Sequence, residues 1–277
     1  MKLKFISSAL LLTALFFLTA CNSEGNKEKE METKQVKLKE ETVTYTGDGA
    51  AMNGFLVYDE NSEAKRPGVL IVPEWWGLNE YTKNRARQLA ALGYIALVLD
   101  FYGEGRQADN PDTALAYAMP YYQDPQKALA RFHAGHEKLN SYPQTDTSKV
   151  AAIGYCFGGT QVLNVARLGE DLKGVVSFHG GLAGVPAKKE LLKADILVCH
   201  GAADSMVPDE QVNDFKKQLD AIGASYTFKA YEGAKHAFSN PDATENGKKF
   251  NLDIAYNAAA DTASWAEMKT FFNKIFR

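Results

Sequence analysis

Cys156 carries the most chemistry in this chain. It sits in Gly154-Tyr155-Cys156-Phe157-Gly158-Gly159, directly after the apolar run Val150 to Ile153 and ahead of a segment that reads as a helix. A nucleophile on a sharp strand-to-helix turn needs glycine on both sides, because the backbone is strained there and the helix packs close to the strand. Gly154 and Gly158 supply those positions. A thiol ionises more readily than a hydroxyl and is intrinsically more nucleophilic. A small cysteine buried as a plain hydrophobe satisfies the same six residues, so the partners decide. An acid and a base follow in the order nucleophile, acid, histidine. Asp195 to Gly201 reads as a buried strand, and Asp204 lies in the loop after it. Ser225 to Tyr231 alternates like a strand, and the next loop, Glu232-Gly-Ala-Lys-His236-Ala-Phe238, holds His236. All three residues fall just past strand ends, where open parallel sheets place catalytic groups.

Together these motifs resemble the dienelactone hydrolases (carboxymethylenebutenolidases), over nearly the whole chain from Val43 to Phe276. They are G-Y-C-F-G-G around Cys156, H-G-x-x-D-x-x-V-P around Asp204, G-x-x-H-A-F around His236, and Pro73-Glu74-Trp75-Trp76-Gly77-Leu78-Asn79 after an early strand. The resemblance implies an α/β-hydrolase fold and a Cys156–His236–Asp204 triad. It also implies that Glu74 keeps the resting thiol quiet through a hydrogen bond, guarding it against oxidation. Acyl transfer then requires an oxyanion hole, expected from the backbone N–H groups of Phe157 and Trp75. One position departs from the family. Members that open dienelactones clamp the substrate carboxylate with arginines, and the position shortly after the catalytic histidine is here Asn240, which offers no cationic fork. An uncharged ester or lactone fits as well as dienelactone. Arg106, after Phe101-Tyr102-Gly103, reads as an exposed surface arginine.

The N-terminus reads as an address. Lys2 and Lys4 precede an apolar run from Phe5 to Leu18, and Leu18-Thr19-Ala20-Cys21 resembles a lipobox. Residues 1–20 are expected to be a bacterial lipoprotein signal peptide, with Cys21 lipidated after export and the protein held at a membrane facing the periplasm or the cell exterior. Residues 21–41 are dense in Lys and Glu and poor in large apolar side chains, so they read as a charged tether. The net charge of −3 gives no support for nucleic acid as a partner.

Residues 42–277 suit one α/β domain, with a mostly parallel central sheet and helices on both faces. Short apolar runs at Gly68–Val72, Tyr94–Leu99, Val150–Ile153, Gly174–Phe178 and Ile196–Cys199 predict strands covered on both sides. Helices are expected at Asn79–Leu92, Pro125–Leu139 and Asp253–Phe276, and an antiparallel edge hairpin over Thr42–Tyr58 with its turn at Gly47-Asp-Gly49. With Cys21 assigned to lipid and Cys156 to catalysis, Cys199 is left inside a strand, so no disulfide framework is expected. His133 and His136 stand three apart on a helix without an evident acidic partner, and no metal site or organic cofactor is expected. His179 and His200, at strand ends, receive no chemical role. The other classes open to the chain are a thioesterase or general carboxylesterase on the same scaffold, and an anchored binding module that has lost catalysis.

Overall fold

The computed structural model describes residues 36–277, and Cys21 and the N-terminal address lie outside the described residues. Eight strands form one sheet in the order β1-β2-β4-β3-β5-β6-β7-β8. β1 (Leu38–Gly47) and β2 (Ala50–Asp59) are the expected hairpin at one edge. Asp48 and Gly49 take positive φ at its turn. Leu38 to Glu41 pair with Asp59 to Leu56, so the strand begins inside the stretch expected as tether. The partner strand satisfies their backbone groups, which composition alone does not foresee.

β2 joins β4 (Ile95–Val98) antiparallel, and the pairings among β3 (Arg66–Val72), β4, β5 (Thr145–Tyr155), β6 (Gly174–Phe178), β7 (Asp195–Gly201) and β8 (Tyr226–Tyr231) are all parallel. The apolar runs are continuous because both faces are covered. Leu70 and Val72 point into one core with Phe132, Leu163 and Phe215, while Val69 and Ile71 point into the other with Leu89, Met268 and Phe272.

Seven helices are described. α1 (Glu80–Ala91) starts at Asn79, whose side chain accepts from the Thr82 N–H in a capping box. α2 (Pro111–Gln123) and α3 (Pro125–Asn140) each place proline in the first turn behind an Asn110 or Asp124 cap. α4 (Phe157–Arg167) follows the elbow, α5 (Asp209–Ile222) follows the Asp204 loop, α6 (Ala243–Phe250) follows the His236 loop, and α7 (Ala258–Ile275) closes the chain. α7 starts later than the expected Asp253, because Ile254 forms a parallel bridge with His236 and Asn257 caps the helix.

Candidate active site

The elbow is built by close packing. Cys156 is held at φ 52°, ψ −114°, a strained conformation for a residue with a Cβ. A Cβ on Gly154 would lie 2.0 Å from the Gly158 carbonyl oxygen, and one on Gly158 would lie 2.1 Å from that of Val72. Only glycine permits β5, α4 and β3 to approach this closely. His179, itself at φ 42°, supports the turn from behind. Its Nδ1 accepts the Cys156 N–H at 3.1 Å and its Nε2 meets Ser239 Oγ at 2.7 Å. Burial holds the His179 pKa well below its ordinary value, which keeps the ring neutral and Nδ1 available as acceptor.

Backbone hydrogen bonds zip the acid and base loops together, from Ala202 N to Tyr231 O at 2.9 Å and from Ala203 N to Ala234 O at 2.9 Å. Asp204 Oδ1 accepts from the Met206 N–H at 2.9 Å, leaving Oδ2 to meet His236 Nδ1 at 2.8 Å. On the other side of the ring His236 Nε2 lies 3.0 Å from Cys156 Sγ. Both His236 and Asp204 are buried. Burial alone would lower the pKa of His236. The negative charge at Cys156 and the bonds to Asp204 and Cys156 outweigh it and hold the imidazole well above its ordinary value. The arrangement suits a thiolate beside an imidazolium oriented by a carboxylate.

Phe157 N–H opens α4, where the helix dipole favours negative charge. Trp75 follows Glu74 in a turn closed by Gly77 N–H donating to Glu74 O at 3.0 Å, and Tyr102 OH donates to Trp75 O at 3.0 Å. Neither the Trp75 nor the Phe157 N–H has an acceptor among the described residues.

Glu74 departs from its expected geometry. The thiol is turned to His236, and the buried Glu74 carboxylate accepts from Asn240 Nδ2 at 2.6 Å instead of meeting Cys156. The short, neutral amide of Asn240, where the resemblance implied an arginine, captures it. Burial pushes the Glu74 carboxyl up to about 7, against the pull of the Asn240 hydrogen bond.

The thiol opens on a cavity of about 340 Å³ walled by Trp75, Trp76, Leu115, Tyr122, Met206 and Ile254. Glu74 and His236 also line it, and among the described residues neither Lys nor Arg does. Trp75 and Trp76 meet edge to face at 5.1 Å, and Trp76 stacks on Phe250 at 5.7 Å. Sequence reading missed α2, which supplies Leu115 and Tyr122, although Asn110-Pro111 carries the cap-plus-proline signal. It also missed Ser239, which joins His179 to Tyr81 OH at 2.7 Å, and Tyr102. No short-range pattern marks either.

The remaining candidates lie elsewhere. His200 and His179 are buried off the cavity. Cys199 is buried, with its thiol pushed up to about 12 by burial. His133 and His136 do have an acidic partner, brought by the end of α4: their Nδ1 atoms lie 3.1 Å and 2.6 Å from Glu170 Oε1. Arg106 pairs with Glu104 at 2.5 Å, away from the catalytic cavity.

A model of the dienelactone hydrolase family matches residues 52–276. A dienelactone hydrolase-like promiscuous phosphotriesterase, P91, from metagenomic libraries is 34% identical, with a TM-score of 0.81 over 87% of this chain and 99% of that one. Protein usf of Aquifex pyrophilus is 31% identical over 201 residues, covering 69% of this chain and 87% of its own. Esterase 2 of Thermogutta terrifontis shares the fold at 14% identity, with a TM-score of 0.59 over 88% of this chain and 95% of that one.

Proposed function

Because this chain belongs to the dienelactone hydrolase family of α/β-hydrolases, whose members cleave ester or lactone bonds, we propose that it does so by acyl transfer through Cys156, His236 and Asp204. The observation that carries this reading is the continuous line from Asp204 Oδ2 to His236 Nδ1 at 2.8 Å and from His236 Nε2 to Cys156 Sγ at 3.0 Å, on the wall of an apolar cavity.

The Cys156 thiolate adds to the substrate carbonyl carbon, and the charge moves to the carbonyl oxygen. The N–H groups of Phe157 and Trp75 receive that oxyanion. Collapse expels the alkoxide, which takes the Nε2 proton of His236 and leaves a thioester on Cys156. Water then gives a proton back to His236 and attacks the thioester. The second collapse releases the carboxylic acid and returns the thiolate to its imidazolium partner. Asp204 holds the Nδ1 proton throughout, so that Nε2 faces the sulfur.

Substrate choice follows from the walls. A cavity with no Lys or Arg among the described residues, rimmed by Trp75, Trp76 and Tyr122, favours an uncharged ester or lactone over an anionic one. The test is kcat/KM of the full-length protein for p-nitrophenyl butyrate and for the anionic p-nitrophenyl hemisuccinate. Preference for the neutral ester by tenfold or more, lost in Cys156→Ala, is expected. Equal rates on both esters would remove the neutral-substrate reading, and turnover surviving in Cys156→Ala would remove the cysteine mechanism. The N-terminal sequence adds a location. Lipid on Cys21 would hold the enzyme at a membrane surface, and Cys21→Ser would then move it from the membrane fraction to the soluble one.

A further inference from the structure

A second cavity of about 260 Å³ lies between α2 and α3 and shares no lining residue with the catalytic one. α2 is the partition. Leu115 and Tyr122 face the thiol, while Tyr117 and Tyr121 face this second space. We infer that this cavity, lined by Arg131, Lys127, Arg106 and the rings of Tyr102, Tyr117 and Tyr121, is a binding site for a small aromatic carboxylate.

Arg131 carries the argument. It is only 5% exposed, and its Nε and Nη1 have no hydrogen-bond partner among the described residues. The nearest carboxylate is Asp48, 3.6 Å from Nε, and that carboxylate already holds Lys127 Nζ at 3.0 Å. A buried guanidinium whose one acid lies 3.6 Å from Nε, beyond hydrogen-bond reach, is costly, and a carboxylate that hydrogen-bonds the part of the guanidinium lining the cavity offsets that cost.

Charge selects the class of anion. Lys127 is paired with Asp48, and Arg106 with Glu104 at 2.5 Å, so the cation left without a hydrogen-bonded acid is Arg131. One uncompensated positive charge matches a single negative charge. Asp48 and Glu104, close by, disfavour a dianion.

The walls select the body. Tyr102 stacks on Tyr121 with ring centroids 6.0 Å apart, and Tyr117 tilts against Tyr102 at 5.5 Å. These rings offer aromatic surface beside the guanidinium, which suits a flat apolar group behind the carboxylate. An aliphatic acid as short as acetate would leave that surface uncovered.

Benzoate titrated calorimetrically into the full-length protein at constant ionic strength tests the assignment. Saturable one-site binding is expected, at least tenfold tighter than acetate, and weakened at least tenfold in both Arg131→Met and Lys127→Met. Absence of saturable binding, benzoate no tighter than acetate, or variants that bind as the parent does would each overturn it. Benzoate held in the catalytic cavity gives the last of these results, since neither substituted residue lines that cavity. Arg131 is buried, and should its variant fail to fold, the half-buried Lys127 carries the test. A folded Arg131→Met is expected to melt no lower than the parent without benzoate and to lose the rise in melting temperature that benzoate gives the parent.

Discussion

Asn240 Nδ2 donates to Glu74 Oε2 across 2.6 Å, and both side chains are buried. The pair sits beside the nucleophile, yet the bond leaves the thiol to His236. An arginine at the position of Asn240 would bring a charge to the same carboxylate and to the mouth of the cavity. Asparagine satisfies the carboxylate without one, so the residue that relieves Glu74 adds no fixed cation to that end of the cavity.

The Glu74 carboxyl is pushed up to about 7 from its ordinary 4.5, chiefly by burial. The folded protein therefore holds a proton there that the unfolded chain has already released. Stability falls as pH rises between those two values, by up to about 3 kcal/mol. Glu74→Gln keeps an acceptor oxygen for Asn240 and has no proton to lose. Urea unfolding from pH 5 to 8 should show the parent weakening relative to this variant as pH rises. Parallel curves would refute the assignment.

Asn240→Ala removes the donor that holds Glu74. With nothing to bind it in place, the carboxyl is expected to turn to Cys156 and slow iodoacetamide alkylation of the thiol severalfold, most strongly at the lower pH values where Glu74 carries a proton. Adding Glu74→Gln to that variant tests whether the effect runs through the carboxylate. Alkylation at the parental rate in Asn240→Ala would show that Asn240 does not position Glu74.

Asp204→Asn takes away the acceptor of the Nδ1 proton while preserving the shape of the site. An amide in this place presents a donor to the ring and favours the wrong tautomer. We expect kcat on p-nitrophenyl butyrate to drop by roughly 10²–10⁴-fold with KM little changed. A drop of less than threefold would mean that His236 is oriented by its backbone contacts alone.

Gly158→Ala would put a Cβ 2.1 Å from the Val72 carbonyl oxygen. Backbone cannot yield there without separating β3 from α4. The variant should lose at least about 3 kcal/mol of stability, or fail to accumulate. Folding at parental stability would contradict the packing described for the elbow.

What the sequence discloses is what short-range physics controls. The strands show in their apolar runs because both faces of a parallel sheet are covered, and the elbow shows because glycine spacing encodes close approach. Leu38 to Glu41 have the composition of a tether, and their order comes from Asp59 to Leu56, beyond any local window. The late start of α7 has the same origin, in the bridge from Ile254 to His236. Asn240 was visible as a missing arginine, but its partner, 166 positions away, was not. His133 and His136 likewise lacked an acid until the turn after α4 delivered Glu170.

The topology also sets an order of construction. The strands that cradle Cys156 (β3, β5 and β6) are all complete by Phe178, whereas the base arrives 80 positions after the nucleophile, behind β8. During synthesis the elbow can close before His236 is made, so the nascent chain carries a thiol without its base. β8 is the outermost strand and pairs with β7 alone. Fraying at that margin withdraws the base while the remainder of the sheet stays assembled. Loss of activity on warming is therefore expected to precede loss of the sheet, and the enzyme disarms from its edge.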